Sequence, residues 1–149
     1  MVQGKWFAPG ADLSAVIPVR EYVFGRGADD LDALSWNVLV FQDTVPAAVG
    51  RIWWEDGAFW LGDIGVLEPY RHRRLGDLTL RLLLFKAQEH AAREVRLICP
   101  ANTAGFFSRL GLREQPSCEA SSVEMMIPGP EIDLDTCRNC PKTSCPDRR

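Results

Sequence analysis

The chain predicts an α/β fold of about six or seven strands flanked by helices. Three observations lead there. Apolar, β-branched runs are joined by Asp43-Thr44 and Asp56-Gly57, and the second pair is a strong two-residue hairpin signal. A leucine-rich stretch from Asp77 to Ala91 has helical length and follows the last strand of that series. Further short strand and helix patterns alternate after it. At 149 residues the chain is long enough for one domain with a proper core.

The elements follow in order. Gly4 to Ala8 reads as a short first strand. Ala11 to Phe24 has helical spacing, with Leu13, Val16, Ile17 and Val23 on one broad face and Asp12 or Ser14 as candidate caps. Pro18 inside it implies a kink or a split into two short helices. Gly25 to Asp32 is a polar loop rich in aspartate. Ser35 to Gln42, Ala47 to Glu55 and Ala58 to Val66 are the hairpin strands. In the helix from Asp77, the residues Leu78, Leu82 and Phe85 form the stripe expected to face the sheet. Glu94 to Cys99 is a strand. Asn102 to Leu110 is a short helix, with Asn102 or Thr103 as cap and Gly111 as stop. Leu112 to Glu114 and Ser122 to Ile127 complete the strands. The segment 129–149 is a Cys/Pro-rich appendage to a domain spanning 1–128, and no internal repeat is visible.

Composition excludes several functions. With 46% hydrophobic and 25% charged residues the chain is an ordinary globular sequence. A net charge of −3 argues against general nucleic-acid binding. No apolar run nears the ~20 residues of a membrane span. The N-terminus lacks a signal-peptide core, so a cytoplasmic location with reduced thiols is expected.

The most informative stretch is Val66-Leu67-Glu68-Pro69-Tyr70-Arg71-His72-Arg73-Arg74-Leu75-Gly76. A strand, a basic turn ending in Gly and a helix make a pocket for a diphosphate. The first N–H groups of a helix lack internal partners, and its dipole adds positive charge there. Gly lets the backbone approach a phosphate closely. The plain alternative is a surface crossover carrying a solvated charge run.

Two motifs give the chain a family likeness over about Ser35 to Leu112. Arg71-His72-Arg73-Arg74-Leu75-Gly76 and Phe106-Phe107-Ser108-Arg109-Leu110-Gly111-Leu112 resemble the cofactor loop and the late helix of the GNAT superfamily of acyl-CoA-dependent N-acyltransferases. The resemblance implies a mixed central sheet and an acetyltransferase using acetyl-CoA as cosubstrate and an amine of a small molecule or protein as acceptor. It implies that the backbone from His72 to Asp77, with Arg71, Arg73, Arg74, Leu75 and Gly76 in or beside it, cradles the pyrophosphate. Val66 would offer its backbone to the pantetheine arm, and Asn102 would reach the same arm. Two departures stand out. Arg74 occupies the place of the usual first Gly. Phe107 occupies that of the tyrosine that often protonates the leaving thiolate, but a thiol of pKa roughly 8–9 can leave without that help.

Acyl transfer needs a neutral amine beside the thioester and an acceptor for its proton. Asp63, the acid inside the third hairpin strand, is the candidate base, with a paired or solvated aspartate as the other reading. Glu21 and Asp32 are less well placed. Trp53 and Trp54 alternate in direction, so one can pack in the core or a homodimer contact and the other can face the cleft. Cys99 reads as a buried thiol rather than a nucleophile.

Cys137-x-x-Cys140-x-x-x-x-Cys145 stands outside the family pattern. With Cys118 as a fourth ligand it is a candidate zinc site; free thiols or an adventitious disulfide are the alternatives. Phe107 and these cysteines motivate a second functional reading, a CoA-binding or metal-responsive regulatory module on a GNAT scaffold with little catalysis. A third is a structural α/β domain.

Overall fold

The computed structural model describes residues 1–116 and 121–134. Seven strands form one mixed sheet in the order β1-β2-β3-β4-β5-β7-β6. They are β1 (Val2–Phe7), β2 (Trp36–Gln42), β3 (Val45–Glu55), β4 (Ala58–Val66), β5 (Glu94–Pro100), β6 (Arg113–Glu114) and β7 (Ser122–Pro128). The helices are α1 (Ile17–Phe24), α2 (Leu75–Glu89) and α3 (Ala104–Ser108). Every strand pair is antiparallel except β4 with β5, which α2 connects as a crossover. Among the described residues no helix is long and apolar enough to cross a membrane.

The hairpins turn where the sequence says they should. Asp43 and Thr44 have φ of 51° and 71°, and Asp56 and Gly57 have 51° and 82°. Two successive left-handed residues are the conformation that matches strand twist in a tight hairpin. The expected split at Pro18 resolves differently. The helix begins only at Ile17, so Pro18 lies in its first turn, where a missing N–H is harmless. Neither proposed cap serves it; Asp12 instead accepts from the Ser14 amide and hydroxyl in the turn before.

The face of α2 also differs from expectation. Leu75, Thr79, Leu80, Leu83, Leu84 and Ala87 are buried, whereas Phe85 is 48% exposed. Leucines almost encircle this helix, so spacing alone admits more than one stripe. Packing selects Leu80, Leu83 and Leu84, which join Val38, Ile52, Leu61, Val95 and Leu97 in the main core. Leu78 and Leu82 are half-buried against Val40, Ala47, Ala48 and Leu75. On the opposite sheet face, Val16 and Val19 pack on Phe7, Leu39 and Val49.

The short late helix is shorter than its sequence signal. A 3-10 turn at Ala101–Thr103 precedes α3, and neither Asn102 nor Thr103 caps it by side chain. The Thr103 hydroxyl donates to the Pro100 carbonyl instead, at 2.8 Å. Gly111 ends the segment at φ 99°. Past β7, Ile132 is buried in the main core, and its carbonyl accepts a hydrogen bond from Gln88 of α2 at 3.0 Å.

What positions the site is a local failure of regularity in β4. Arg51 pairs with Gly62 and Val49 with Gly65, so Asp63 and Ile64 together oppose Gly50. This is a β-bulge, and Asp63 takes a left-handed φ of 52°. Pairing of β4 with β5 runs only from Phe59↔Val95 to Leu61↔Leu97. The two strands part just where the bulge begins, and a cleft opens between them.

Candidate active site

The cleft has a volume of about 1190 Å³. Its walls are the parted ends of β4 and β5, the start of α2, the helix α3, and the end of α1 with the loop after it. Of the residues singled out from sequence, Asp63, Val66, Arg71, His72, Gly76 and Asn102 line it together. Arg73, Arg74, Leu75 and Asp77 do not line it. Leu75 is buried beneath the loop, packed with Val40, Ala47 and Ala48.

The basic loop has the shape its sequence implies. A 3-10 turn at Glu68–Tyr70 leads into residues 71–74, all exposed. His72 and Arg74 sit at φ 66° and 62°. Arg74 is the N-cap of α2, and its carbonyl accepts the first helical hydrogen bond, from Leu78. The amides of Leu75, Gly76 and Asp77 therefore precede the helical ladder and are free of it. The Asp77 carboxylate, which would compete for that positive end, instead accepts from Arg81 at 2.8 Å. Arg71 turns inward, and its Nε donates to the Val66 carbonyl at 3.1 Å. Arg73 stacks on Tyr70.

A left-handed backbone at arginine is strained by roughly 1 kcal/mol relative to glycine. Arg74→Gly is expected to raise the unfolding free energy by about that amount. The midpoint in urea checks it. A decrease would mean that the Arg74 side chain has a structural role.

Across from the loop stand the aromatic residues of α3. Phe106 meets Phe107 edge-to-face at 4.9 Å between centroids. A Cβ on Gly76 would lie 3.5 Å from the Phe106 ring and 3.6 Å from Val66. The helix start, the strand end and α3 thus close on one another at a single glycine. Phe107 is buried and carries no hydroxyl into the cleft. Cys99 lies in the same wall, and burial pushes its thiol up from its ordinary range. It remains a neutral thiol and a poor nucleophile.

At the other end of the cleft is a feature the sequence reading missed. Arg20 of α1 and Arg51 of β3 are 1% and 4% exposed. Arg20 donates to both oxygens of Asp32 at 2.8 and 2.9 Å and to Asn37 at 2.8 Å. Arg51 donates to both oxygens of Asp29 at 2.6 and 2.8 Å and to Asp32 at 3.2 Å. The Nε atoms of Arg51 and Arg20 face Asp63 at 3.1 and 3.6 Å. The Asp63 side chain is only 6% exposed, and Arg26 donates to both its oxygens. Arg20 also reaches the Gly27 carbonyl at 3.3 Å. These ion pairs clamp the loop after α1 onto the β4 bulge. Asp63 thus stands as a paired aspartate. Asp32 belongs to the same clamp and does not line the cleft.

Burial alone would push the Asp32 carboxyl up. Hydrogen bonds from Arg20 and the Asp29 amide, with the charges of Arg20 and Arg51, overcome this and lower it to about 2. A carboxyl held below its unfolded pKa of about 3.9 stabilises the fold above that pH. The contribution is expected to be lost as pH falls from about 4 through about 2, at roughly 1–2 kcal/mol. Urea unfolding across that range checks it, and Asp32→Asn should flatten the acid limb.

Trp53 and Trp54 divide as alternation requires, but neither enters the core. Trp53 lies over Gly62 and the Arg51 guanidinium, and Trp54 is exposed. Among the described residues no cluster of three or more His, Cys, Asp or Glu is arranged to hold a metal ion. Cys118, Cys137, Cys140 and Cys145 lie outside the described residues.

No protein-family model matches the chain, and no curated protein matches it in sequence. Solved structures do match in fold. An acyl-CoA N-acyltransferase from Pseudomonas aeruginosa superposes with a TM-score of 0.73 at 16% identity, over 85% of this chain and 99% of that one. The PaiA N-acetyltransferase from Thermoplasma acidophilum, solved with coenzyme A, gives 0.68 at 12% identity, over 86% and 99%. FeeM, an N-acyl amino acid synthase from uncultured soil microbes, gives 0.71 at 11% identity, over 88% and 92%.

Proposed function

We propose that this chain, whose fold is that of the GNAT acyl-CoA N-acyltransferases, is an acetyl-CoA-dependent N-acetyltransferase acting by direct transfer. The observation that carries the reading is the conjunction at Gly76. There the left-handed basic loop opens α2 beside Val66, at the end of β4 beyond its last pairing with β5. A helix start with free amides and surrounding cations fits a pyrophosphate. The parted strands offer a slot for an extended arm. The Val66 carbonyl, already bonded to Arg71, keeps a second lone pair for an amide of that arm.

In this reading the acceptor amine, neutral at the moment of attack, forms the N–C bond to the thioester carbonyl. The C–S bond breaks, the thiolate leaves on CoA, and the amine proton passes to water. Phe107 has no proton to give the sulfur, and the raised Cys99 thiol takes no acyl group. Arg26 occupies both oxygens of Asp63, whose role here is to hold Arg26 and the loop.

Calorimetric titration of the reduced protein with acetyl-CoA, and with free CoA, tests the site. One-to-one binding at micromolar concentration supports it. No binding at millimolar concentration overturns it. Phe107 also suits a module that binds CoA without catalysis; turnover of any amine decides between the two.

A further inference from the structure

We propose that Arg26 is a specificity determinant of this cleft: by neutralising Asp63 it selects an acceptor whose amine sits on an apolar body with no second positive charge. The proposal rests on the acyltransferase reading and names its substrate class.

Among the described residues, Asp63 is the only carboxylate lining the cleft. Its oxygens are bound by Arg26 on the open side, and the Nε atoms of Arg51 and Arg20 approach from behind. An acceptor with several ammonium groups needs an anionic or carbonyl partner for each charge it takes out of water. No free carboxylate is on offer here. Of the other ionisable cleft-lining side chains, Arg71 and Arg109 are cationic and oppose a second cation, His72 offers no anion, and the Cys99 thiol is neutral.

The surroundings of the pair suit a different guest. The Arg26 guanidinium carbon lies 5.4 Å from the centre of the Phe24 ring. Val23, Leu61, Ile64 and Ile98 supply the neighbouring wall, and Ile98 is largely exposed. The Trp53 ring comes within 3.0 Å of where a Cβ on Gly62 would stand, so an indole packs against that glycine. Arg26 itself is 51% exposed and leaves the network more readily than the buried Arg20 or Arg51. It is the member whose removal uncovers the Asp63 carboxylate on the cleft side and leaves the network one positive charge short, with Arg51 and Arg20 still behind it.

The experiment compares 2-phenylethylamine with spermidine. Initial rates with acetyl-CoA are measured beside calorimetric binding of each amine to the CoA-loaded protein. Wild type is expected to favour phenylethylamine by at least about tenfold in kcat/KM, the effect of one poorly accommodated charge. Arg26→Gln should shift that ratio toward spermidine by about tenfold, with acetyl-CoA affinity unchanged. Equal or better handling of spermidine by wild type overturns the proposal. So does an unchanged ratio in Arg26→Gln, or neither amine binding or reacting while acetyl-CoA binds. Failure of acetyl-CoA itself to bind is read in the separate titration and removes the acyltransferase reading first.

Discussion

Arg20→Ala is expected to destabilise the fold by about 3–5 kcal/mol, because it leaves buried charge without its partner. The guanidinium holds both oxygens of Asp32, the Asn37 amide oxygen and the Gly27 carbonyl. Asp32 and Asn37 are buried and cannot turn to water in place. Arg20→Lys should recover only part of the loss, since an ammonium cannot reproduce the planar fork to Asp32 and Asn37. Arg26→Ala, at a half-exposed position, should cost under about 1 kcal/mol. Urea unfolding of the three variants checks the order. A loss under about 1 kcal/mol for Arg20→Ala would show that Arg51 alone satisfies Asp32 and that the clamp is redundant.

That network explains where sequence reading stops. The hairpins were legible because their determinants are adjacent residues: Asp56-Gly57 adopts its turn by local sterics. The strand–loop–helix order around the basic loop was legible too; that Arg74 stands at a glycine position came from the family likeness, and its left-handed φ is what the structure adds. Arg20, Asp32, Arg51 and Asp63 are drawn together by α1 packing on β2 and β3, over separations that no local pattern encodes. One signal was present and unused. Arg51 interrupts the apolar run Ala47-Ala48-Val49-Gly50-Arg51-Ile52, and a charge inside a buried strand implies a buried partner. The acidic loop at Asp29, Asp30 and Asp32 was the place to look for it. The face of α2 was illegible for the opposite reason. Leucines at 78, 80, 82, 83 and 84 satisfy several stripes, and only the shape of the sheet chooses among them.

The bulge at Asp63 joins the two ends of the cleft. It parts β4 from β5, which opens the slot at Val66. It also turns Asp63 toward Arg26 and Arg51, which fixes the loop after α1. Gly65, on the far side of the bulge, leaves room for Val23 and Phe24; a Cβ there would come within 2.7 Å of Val23. α1 therefore sits tightly against the strand it helps to shape. A single irregularity couples the proposed cofactor slot to the wall built by α1, so substitutions at either end should be read with acetyl-CoA affinity measured alongside.

Gly76→Trp is expected to abolish acetyl-CoA binding while leaving the fold intact, with affinity lowered by more than about a hundredfold, near 3 kcal/mol. The position is half-buried at the start of α2, its Cβ direction facing Phe106 and Val66 at ordinary contact distance. An indole there fills the gap between helix start, strand end and α3, where the proposed site seats the cofactor arm. Gly76→Ala separates this from a general intolerance of side chains. A methyl group fits at 3.5 Å, and alanine favours the helix over glycine by roughly 1 kcal/mol, so Gly76→Ala should bind acetyl-CoA and unfold at higher urea. Calorimetry and urea unfolding on both variants read the two effects apart. Gly76→Trp binding as well as wild type would mean that the arm does not pass this glycine, and that the cofactor site lies elsewhere than the Arg71–Gly76 loop.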